Sequence, residues 1–183
     1  MNEDQFWAFI NQSVTTNGET NSLGQQTLKL MSLLELLDKS SYLGFIAQFK
    51  AKLFDAYTWD LWAVAYIAYN WTSDSGFEEF RAWLISRGRQ NFEAALADSY
   101  VAAELVLNYL PLQATGEESE EFCLRPIDLF ETVFREHYYD LLPEDVYMYG
   151  DRQPSGERWL PENLCSKYPE LCQLFGRVQS DFS

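Results

Sequence analysis

Residues 58–69 read TWDLWAVAYIAY and contain a single charged side chain, Asp60. On a helical projection the apolar residues of this segment cover nearly the whole circumference, which is typical of a helix surrounded by other helices. Thr58 suits the N-cap position because its hydroxyl can accept a hydrogen bond from the free amide groups of the first turn. The segment therefore predicts a central, buried helix from Trp59 to Tyr69.

Helical spacing of apolar residues continues on both sides of this segment, and no strand-like alternation extends beyond about four residues. The pattern predicts helices that begin near Asn2, at Leu23 (ending at Leu37), after Ser40 or Ser41, at Gly76 (capped by Ser75 and Glu78), at Phe92, at Ser99 and after Pro126. Pro161 and Pro169 begin two short terminal helices. We expect an all-α fold, a single compact domain of about seven to nine helices.

The domain organisation follows from where the helical period stops. Residues 113–121 have the composition of a flexible linker. From Pro143 to Trp159, proline, glycine and charged residues leave no helical or strand period. We expect a helical domain over residues 1–142 and an extended C-terminal segment over residues 143–183, packed on the same domain.

The charge is strongly unbalanced, with 28 acidic and 13 basic residues and a formal net charge of −15. Residues 1–90 carry −3 and residues 91–183 carry −12, most densely between Glu117 and Glu121. A protein that binds a phosphate backbone needs a basic face, so direct nucleic-acid binding is not expected. The acidic half is either a solvated surface or a face that docks on a basic protein partner.

Several other classes are disfavoured by what the sequence lacks. No apolar run approaches the roughly 18 residues of a membrane span, and no basic stretch followed by an apolar one begins the chain. The number of cysteines is odd (Cys123, Cys165 and Cys172), and the sequence shows no signal peptide. We therefore expect free thiols and a cytoplasmic location. No phosphate loop, nucleophile elbow or dinucleotide fingerprint is present, and His137 is the only histidine, so no cofactor is predicted.

The helix that follows Ser75 carries the candidate binding residues. At about 100° per residue, Asp74, Glu78 and Arg81 share one polar edge, whereas Arg87 falls inside the apolar arc. An arginine among apolar residues must extend to solvent or find a carboxylate. The projection therefore predicts a partly buried ion pair between Arg87 and either Asp60 or Asp74.

The carboxylates of this region have two interpretations. Asp60, Asp74, Glu78 and Glu79 supply the oxygen ligands that Mg²⁺ prefers, and Asp74 and Glu78 lie on one helix face. The alternative is that these side chains cap helices and complement the helix dipole. Capping is the simpler account, and no metal site is assigned.

Residues 138–159 mix aromatic and acidic side chains. The aromatic residues are Tyr138, Tyr139, Tyr147, Tyr149 and Trp159, and the acidic residues among them are Asp140, Glu144, Asp145, Asp151 and Glu157. Such a segment is either a recognition surface, in which the rings provide contact area and the charges steer a partner, or an arm that folds back over the helical core.

Two stretches carry a family resemblance: YTWDLWAVAYI at residues 57–67 and SDSGFEEFRAWLISRGR at residues 73–89. They resemble the uncharacterised bacterial family called domain of unknown function 4240. The resemblance runs from near Phe6 to about Asp98, with a weaker echo at Trp159 and at Tyr168. Residues 69–72 depart from the glycines and cysteine that the family usually shows there. The resemblance implies a mostly helical, cytoplasmic bacterial protein and brings no activity with it.

Two functions follow from these features. The favoured one is a non-enzymatic acidic interaction or regulatory module, antitoxin- or immunity-like, that binds a basic partner. The alternative is a metal-assisted enzyme or a small anionic ligand-binding protein. It would use a cleft near Asp60, Asp74, Arg81 and Arg87.

Overall fold

A computed structural model describes residues 1–109 and 153–182. Its helices are α1 (Glu3–Val14), α2 (Leu23–Leu34), α3 (Lys39–Asp55), α4 (Trp59–Tyr69), α5 (Asp74–Ser86), α6 (Arg89–Ala97), α7 (Ser99–Tyr109), α8 (Leu164–Lys167) and α9 (Pro169–Leu174). Short 3₁₀ helices cover Pro161–Asn163 and Gln179–Phe182. The all-α prediction is confirmed. The predicted linker at 113–121, the helix after Pro126, His137, Cys123 and the four tail tyrosines lie outside the described residues.

Local capping explains where the helices begin, and it corrects two predicted starts. The Thr58 hydroxyl accepts from the Leu61 amide at 3.1 Å, so the predicted start of α4 is confirmed. The N-cap of α3 is Asp38, whose carboxylate accepts from both the amide and the hydroxyl of Ser41. A carboxylate that binds two donors is a better cap than the serine hydroxyls that the sequence suggested.

The start of α5 is the second correction. Its N-cap is Ser73, whose hydroxyl accepts from the Gly76 amide at 3.1 Å. The predicted capping box of Ser75 and Glu78 is therefore wrong, and the helix begins at Asp74 rather than Gly76. Gly88 does separate α5 from α6, as predicted, with a left-handed φ of +86°, but α6 begins at Arg89 rather than at the predicted Phe92.

The segment between α1 and α2 forms a feature that the sequence analysis missed. Two-residue strands, β1 (Thr15–Thr16) and β2 (Glu19–Thr20), pair antiparallel. Asn17 and Gly18 form the turn with φ values of 54° and 85°, the conformation that favours these two residues in tight hairpins. Helix α2 ends at Leu34 rather than at the predicted Leu37.

Helix α4 is the centre of the core, as its composition predicted. The residues of α4 buried there are Leu61, Ala63, Val64, Ala65, Ile67 and Ala68. The small alanines allow α7 and α5 to pack closely on this helix. Trp59, Trp62 and Tyr66 are half-buried and lie on the side that receives the C-terminal segment.

Residues 153–182 pack against α4. Ser155 forms a parallel bridge with Thr58, and its carbonyl accepts from the amide of Trp59 at 2.9 Å. Trp159 is buried, and its indole Nε1 donates to the Trp59 carbonyl at 2.8 Å. Arg177 donates to the carbonyls of Ile67 and Ala68 at the end of α4. For Trp159, the covering-arm interpretation of the tail is therefore correct.

A disulfide joins Cys165 in α8 to Cys172 in α9. The prediction of free thiols is wrong for this pair, because the turn at Tyr168–Pro169 folds α9 back until the two sulfur atoms meet. The odd cysteine count that suggested free thiols carries no information about which two are close in space.

None of the helices within residues 1–109 and 153–182 combines the length and apolar character needed to cross a membrane.

Candidate functional site

The five predicted binding residues fall in different parts of the structure. Asp60 lies exposed on the first turn of α4 and accepts a hydrogen bond from the Tyr168 hydroxyl at 2.6 Å. The partner of Asp60 is therefore a tyrosine of the C-terminal segment, and no described ion pair joins this carboxylate to Arg87. Burial, together with this carboxylate, raises the pKa of Tyr168, so the hydroxyl stays a donor at neutral pH.

Arg81 lies in the core rather than on the exposed polar edge of the projection, with 1% of its surface accessible. Its Nη1 donates to the Leu53 carbonyl at 2.8 Å and its Nε to the Phe77 carbonyl at 3.3 Å. The guanidinium also lies 4.6 Å from the ring centroid of Tyr57 and 4.7 Å from that of Phe77. Arg81 thus fastens the end of α3 to α5 through carbonyl and cation–π contacts.

Asp74 and Glu78 stay near the surface on the first turns of α5, Asp74 exposed and Glu78 half-buried. Burial raises the pKa of Tyr57, with a lowering influence from Arg81 and a raising one from Asp74. Because the charges of Asp74 and Arg81 both act on the Tyr57 hydroxyl, both side chains lie near Tyr57. Neither Asp74 nor Glu78 forms an ion pair within the described part of the chain.

Arg87 lies at the opposite end of α5. Its Nη2 donates to the Gln26 Oε1 at 2.6 Å and to the Ser86 Oγ at 2.9 Å. The predicted ion pair of Arg87 with Asp60 or Asp74 is therefore wrong, because the guanidinium is bound to Gln26 and Ser86 at this end of α5 and forms no salt bridge with either of those two carboxylates. Gln26 is 1% exposed and also donates to the Ser86 carbonyl and to the Ser13 hydroxyl. This buried network joins α1, α2 and α5.

An open groove of about 740 Å³ lies beside Arg87, where α5 meets α6. It is lined by polar residues that sequence reasoning did not assign, Asn11, Arg89, Gln90, Asn91 and Glu93 among them. Arg89 is engaged within it, with Nε 2.6 Å from Glu93 and Nη1 2.8 Å from Asp4. Asp60, Asp74, Glu78 and Arg81 do not line this groove, so the single cleft predicted for these residues with Arg87 is not formed there.

The carboxylates do not converge on a metal site. Within residues 1–109 and 153–182, no three histidine, cysteine, aspartate or glutamate side chains lie close enough to hold an ion. Asp60 is turned toward Tyr168, and Asp74 lies in the first turn of α5, where a negative charge complements the helix dipole. Thr58 and Ser73 are the N-caps of these helices, so the helix-dipole part of the alternative interpretation fits Asp60 and Asp74, and the capping part is wrong for them.

The arginines and lysines of the described residues are largely engaged within the chain. Lys52 lies 3.0 Å from both Glu3 and Asp55, and Lys167 lies 3.2 Å from Glu157. Arg81, Arg87 and Arg177 donate to neutral oxygen atoms of the backbone or of Gln26 and Ser86. Exposed carboxylates without a described ion pair are Glu19, Glu35, Asp38, Asp60, Asp74, Asp98, Glu104, Glu162, Glu170 and Asp181. The solvent-facing charge is therefore predominantly negative.

Comparison with known proteins identifies a family. The model of a family described as "Protein of unknown function (DUF4240)" matches residues 1–137. No curated protein and no solved structure matches the chain.

Proposed function

The chain belongs to the DUF4240 family of proteins of unknown function, and from this premise we propose that it is a non-enzymatic acidic interaction or regulatory module, antitoxin- or immunity-like, that binds a basic protein partner. The match reaches residue 137 and so extends beyond Asp98, where the sequence resemblance ends. The family description carries no activity, so the proposal rests on the charge and geometry of this chain.

The observation that carries the proposal is the unequal placement of the two signs of charge. Most basic side chains of the described residues point inward or bind their own chain, as with Arg81 on the Leu53 carbonyl and Arg177 on the Ile67 carbonyl. Carboxylates such as Glu162 and Glu170 are left exposed. Residues 110–152 add eleven acidic and only three basic residues to this imbalance. A surface of this kind attracts and orients a basic partner over roughly 8 Å in physiological salt.

Affinity purification from a native cell lysate tests the proposal. The tagged protein is expected to capture one stoichiometric basic protein, and capture is expected to weaken several-fold between low and moderate salt. A matched pair of variants sharpens the result. Replacing Glu104, Glu162 and Glu170 by glutamine removes three exposed carboxylates, whereas replacing the exposed neutral residues Gln12, Ser166 and Gln173 by alanine leaves the charge unchanged. The proposal fails if neither salt nor the glutamine variant reduces capture, or if no partner is enriched.

We also propose that the protein acts in the bacterial cytoplasm, as the family resemblance implies. Disulfides are rare in that compartment, so Cys165 and Cys172 are expected to be reduced there and to pair on exposure to oxidant. Alkylation of thiols in intact cells, followed by mass spectrometry, checks this. Protection of both cysteines from alkylation in the cell would place the protein in an oxidising compartment instead.

The groove beside Arg87 favours the anionic-ligand alternative. Gln90 and the backbone amide groups of the first turn of α6 offer donors there, because Gly88 provides no side-chain cap. Inorganic phosphate and a dicarboxylate are suitable probes, measured by isothermal calorimetry on the protein and on Gln90→Glu, which places a negative charge in the groove. Saturable binding that this variant abolishes would favour the alternative. The metal-assisted form of the alternative has no ligand set within the described residues.

A further inference from the structure

A second cavity, of about 320 Å³, lies between two parts of the chain that are distant in sequence. Asp98 and Tyr100, at the corner between α6 and α7, line one side. Tyr168, Pro169 and Glu170, at the turn into α9, line the other. A volume of this size lies at the lower end of the range for small-ligand pockets and is large enough for one long side chain.

The lining combines two kinds of group that attract a cation. Asp98 and Glu170 are exposed carboxylates, and Tyr100 and Tyr168 are half-buried aromatic rings. Aromatic faces carry negative electrostatic potential and hold a cation that lies over them. Arginine suits this combination better than lysine because its planar guanidinium stacks on rings while its N–H groups bind carboxylates in pairs.

The cavity is held in shape before any partner arrives. The Asp98 Oδ1 accepts from the Tyr100 amide at 2.9 Å, which fixes the corner of α6 and α7. The Tyr168 hydroxyl is bound to Asp60 at 2.6 Å. Backbone hydrogen bonds hold the turn that contains Tyr168, Pro169 and Glu170, with the Tyr168 amide 2.8 Å from the Leu164 carbonyl and the Cys172 amide 3.1 Å from the Tyr168 carbonyl, whether or not the nearby cysteines are paired. A site ordered in advance loses less conformational entropy on binding.

One cation of the chain itself lines the same cavity without neutralising it. Lys167 Nζ lies 5.8 Å from the ring centroid of Tyr168, so this ring already receives a positive charge from its own chain. The ammonium is bound to the Glu157 carboxylate at 3.2 Å and to the Glu157 carbonyl at 3.0 Å. The positive charge of Lys167 is therefore paired with Glu157. Asp98 and Glu170 form no described ion pair and can bind a cation of a partner.

We propose that this cavity receives an arginine side chain of the basic partner, stacked against Tyr100 and Tyr168 and hydrogen-bonded to Asp98 and Glu170. This inference rests on the proposed function and names the surface through which it acts. It gives the interaction a specific anchor in addition to the general attraction between an acidic surface and a basic one.

Titration of the full chain with Nα-acetyl-arginine amide, followed by amide NMR shifts, tests the proposal directly. Shifts are expected to concentrate at residues 98–100 and 167–171. The uncharged isostere Nα-acetyl-citrulline amide is expected to leave those residues unmoved. Asp98→Asn combined with Glu170→Gln is expected to weaken binding by at least about tenfold, since the loss of a single charge-assisted hydrogen bond already produces that change. Asparagine retains the side-chain oxygen that accepts from the Tyr100 amide.

A control variant separates the cavity from net charge. Glu19→Gln combined with Glu35→Gln removes the same charge from exposed positions outside the cavity and is expected to bind the arginine amide like the unmodified chain. Equal losses in both double variants, equal shifts with citrulline, or shifts spread over the whole chain overturn the proposal. Salt-sensitive capture of a basic partner that ignores the Asp98 and Glu170 changes would overturn this site while leaving the proposed function intact.

Discussion

The Tyr168 hydroxyl donates to the Asp60 carboxylate over a distance of 2.6 Å and across 108 positions of sequence. The bond ties the turn between α8 and α9 to the first turn of α4, close to the point where Trp159 binds the Trp59 carbonyl. Asp60 is the one charged residue of a helix that is otherwise apolar, and its described partner is Tyr168 of the C-terminal segment. The charge therefore orients the covering segment, whereas the sequence suggested a partner for Arg87.

Tyr168→Phe removes the hydroxyl and keeps the ring. We expect the free energy of unfolding to fall by about 1 kcal/mol, since an accessible hydrogen bond to a carboxylate contributes at the modest end of the range. Urea unfolding measures the change. In a double-mutant cycle with Asp60→Asn, the double variant is expected to lose less free energy of unfolding than the sum of the losses of the two single variants. Fully additive losses would mean that the hydroxyl and the carboxylate stabilise the fold independently.

The elements that local sequence specifies were predictable. Thr58 and the apolar run after it define α4, Gly88 and Asp98 separate α5, α6 and α7, and Pro169 begins α9. Each depends on contacts within a few residues, such as a cap or a backbone angle. The Asn17–Gly18 hairpin had a local signal too, but its strands are only two residues long and show no alternation.

The candidate site was much less predictable, because burial is decided by residues that a single helix does not contain. Arg81 and Phe77 are neighbours on the helical projection, and the arrival of Leu53 and Tyr57 from α3 turns this edge into core. Gln26 is an ordinary polar residue in the sequence and becomes a buried junction of three helices only when α5 brings Ser86 and Arg87 to it.

Arg81 and Arg87 form a matched pair for testing this difference. Arg81→Met keeps an apolar stem but leaves the Leu53 carbonyl without its guanidinium donor, so we expect a loss of about 2–4 kcal/mol. Arg87→Met is expected to cost about 1 kcal/mol, because Arg87 is half-buried and Gln26 keeps its bonds to Ser86 and Ser13. Chemical denaturation of both variants gives the two values. Equal losses would contradict the assignment of Arg81 to the core.

The disulfide is expected to contribute to stability through the short loop that it closes. Replacing both Cys165 and Cys172 by serine is expected to lower the free energy of unfolding by about 2–3 kcal/mol, slightly less than a longer loop would give. The unmodified chain unfolded in a reductant serves as the control and is expected to match the double variant. Reductant sensitivity that persists in the double variant would point instead to an intermolecular disulfide through Cys123.

The ion pair of Glu3 with Lys52 makes the free energy of unfolding depend on pH in the acidic range. The hydrogen bond from Lys52, assisted by the indole of Trp7, lowers the pKa of Glu3 below its ordinary value. A carboxyl group with a lowered folded-state pKa stabilises the fold above its unfolded-state pKa, and that contribution is lost as the pH falls through the folded-state value. Glu3→Gln is therefore expected to lower the melting temperature at pH about 7 and to differ much less from the unmodified chain once the pH is below about 3.

Thermal unfolding of both proteins across this pH range measures the effect. Glu104→Gln removes the same charge from an exposed position of α7 and controls for the change in net charge. A difference between Glu3→Gln and the unmodified chain that stays constant from neutral pH into acid would contradict the role given to Lys52. Such a result would mean that Glu3 stabilises α1 through the helix dipole or by packing on Trp7, without depending on its ionised form.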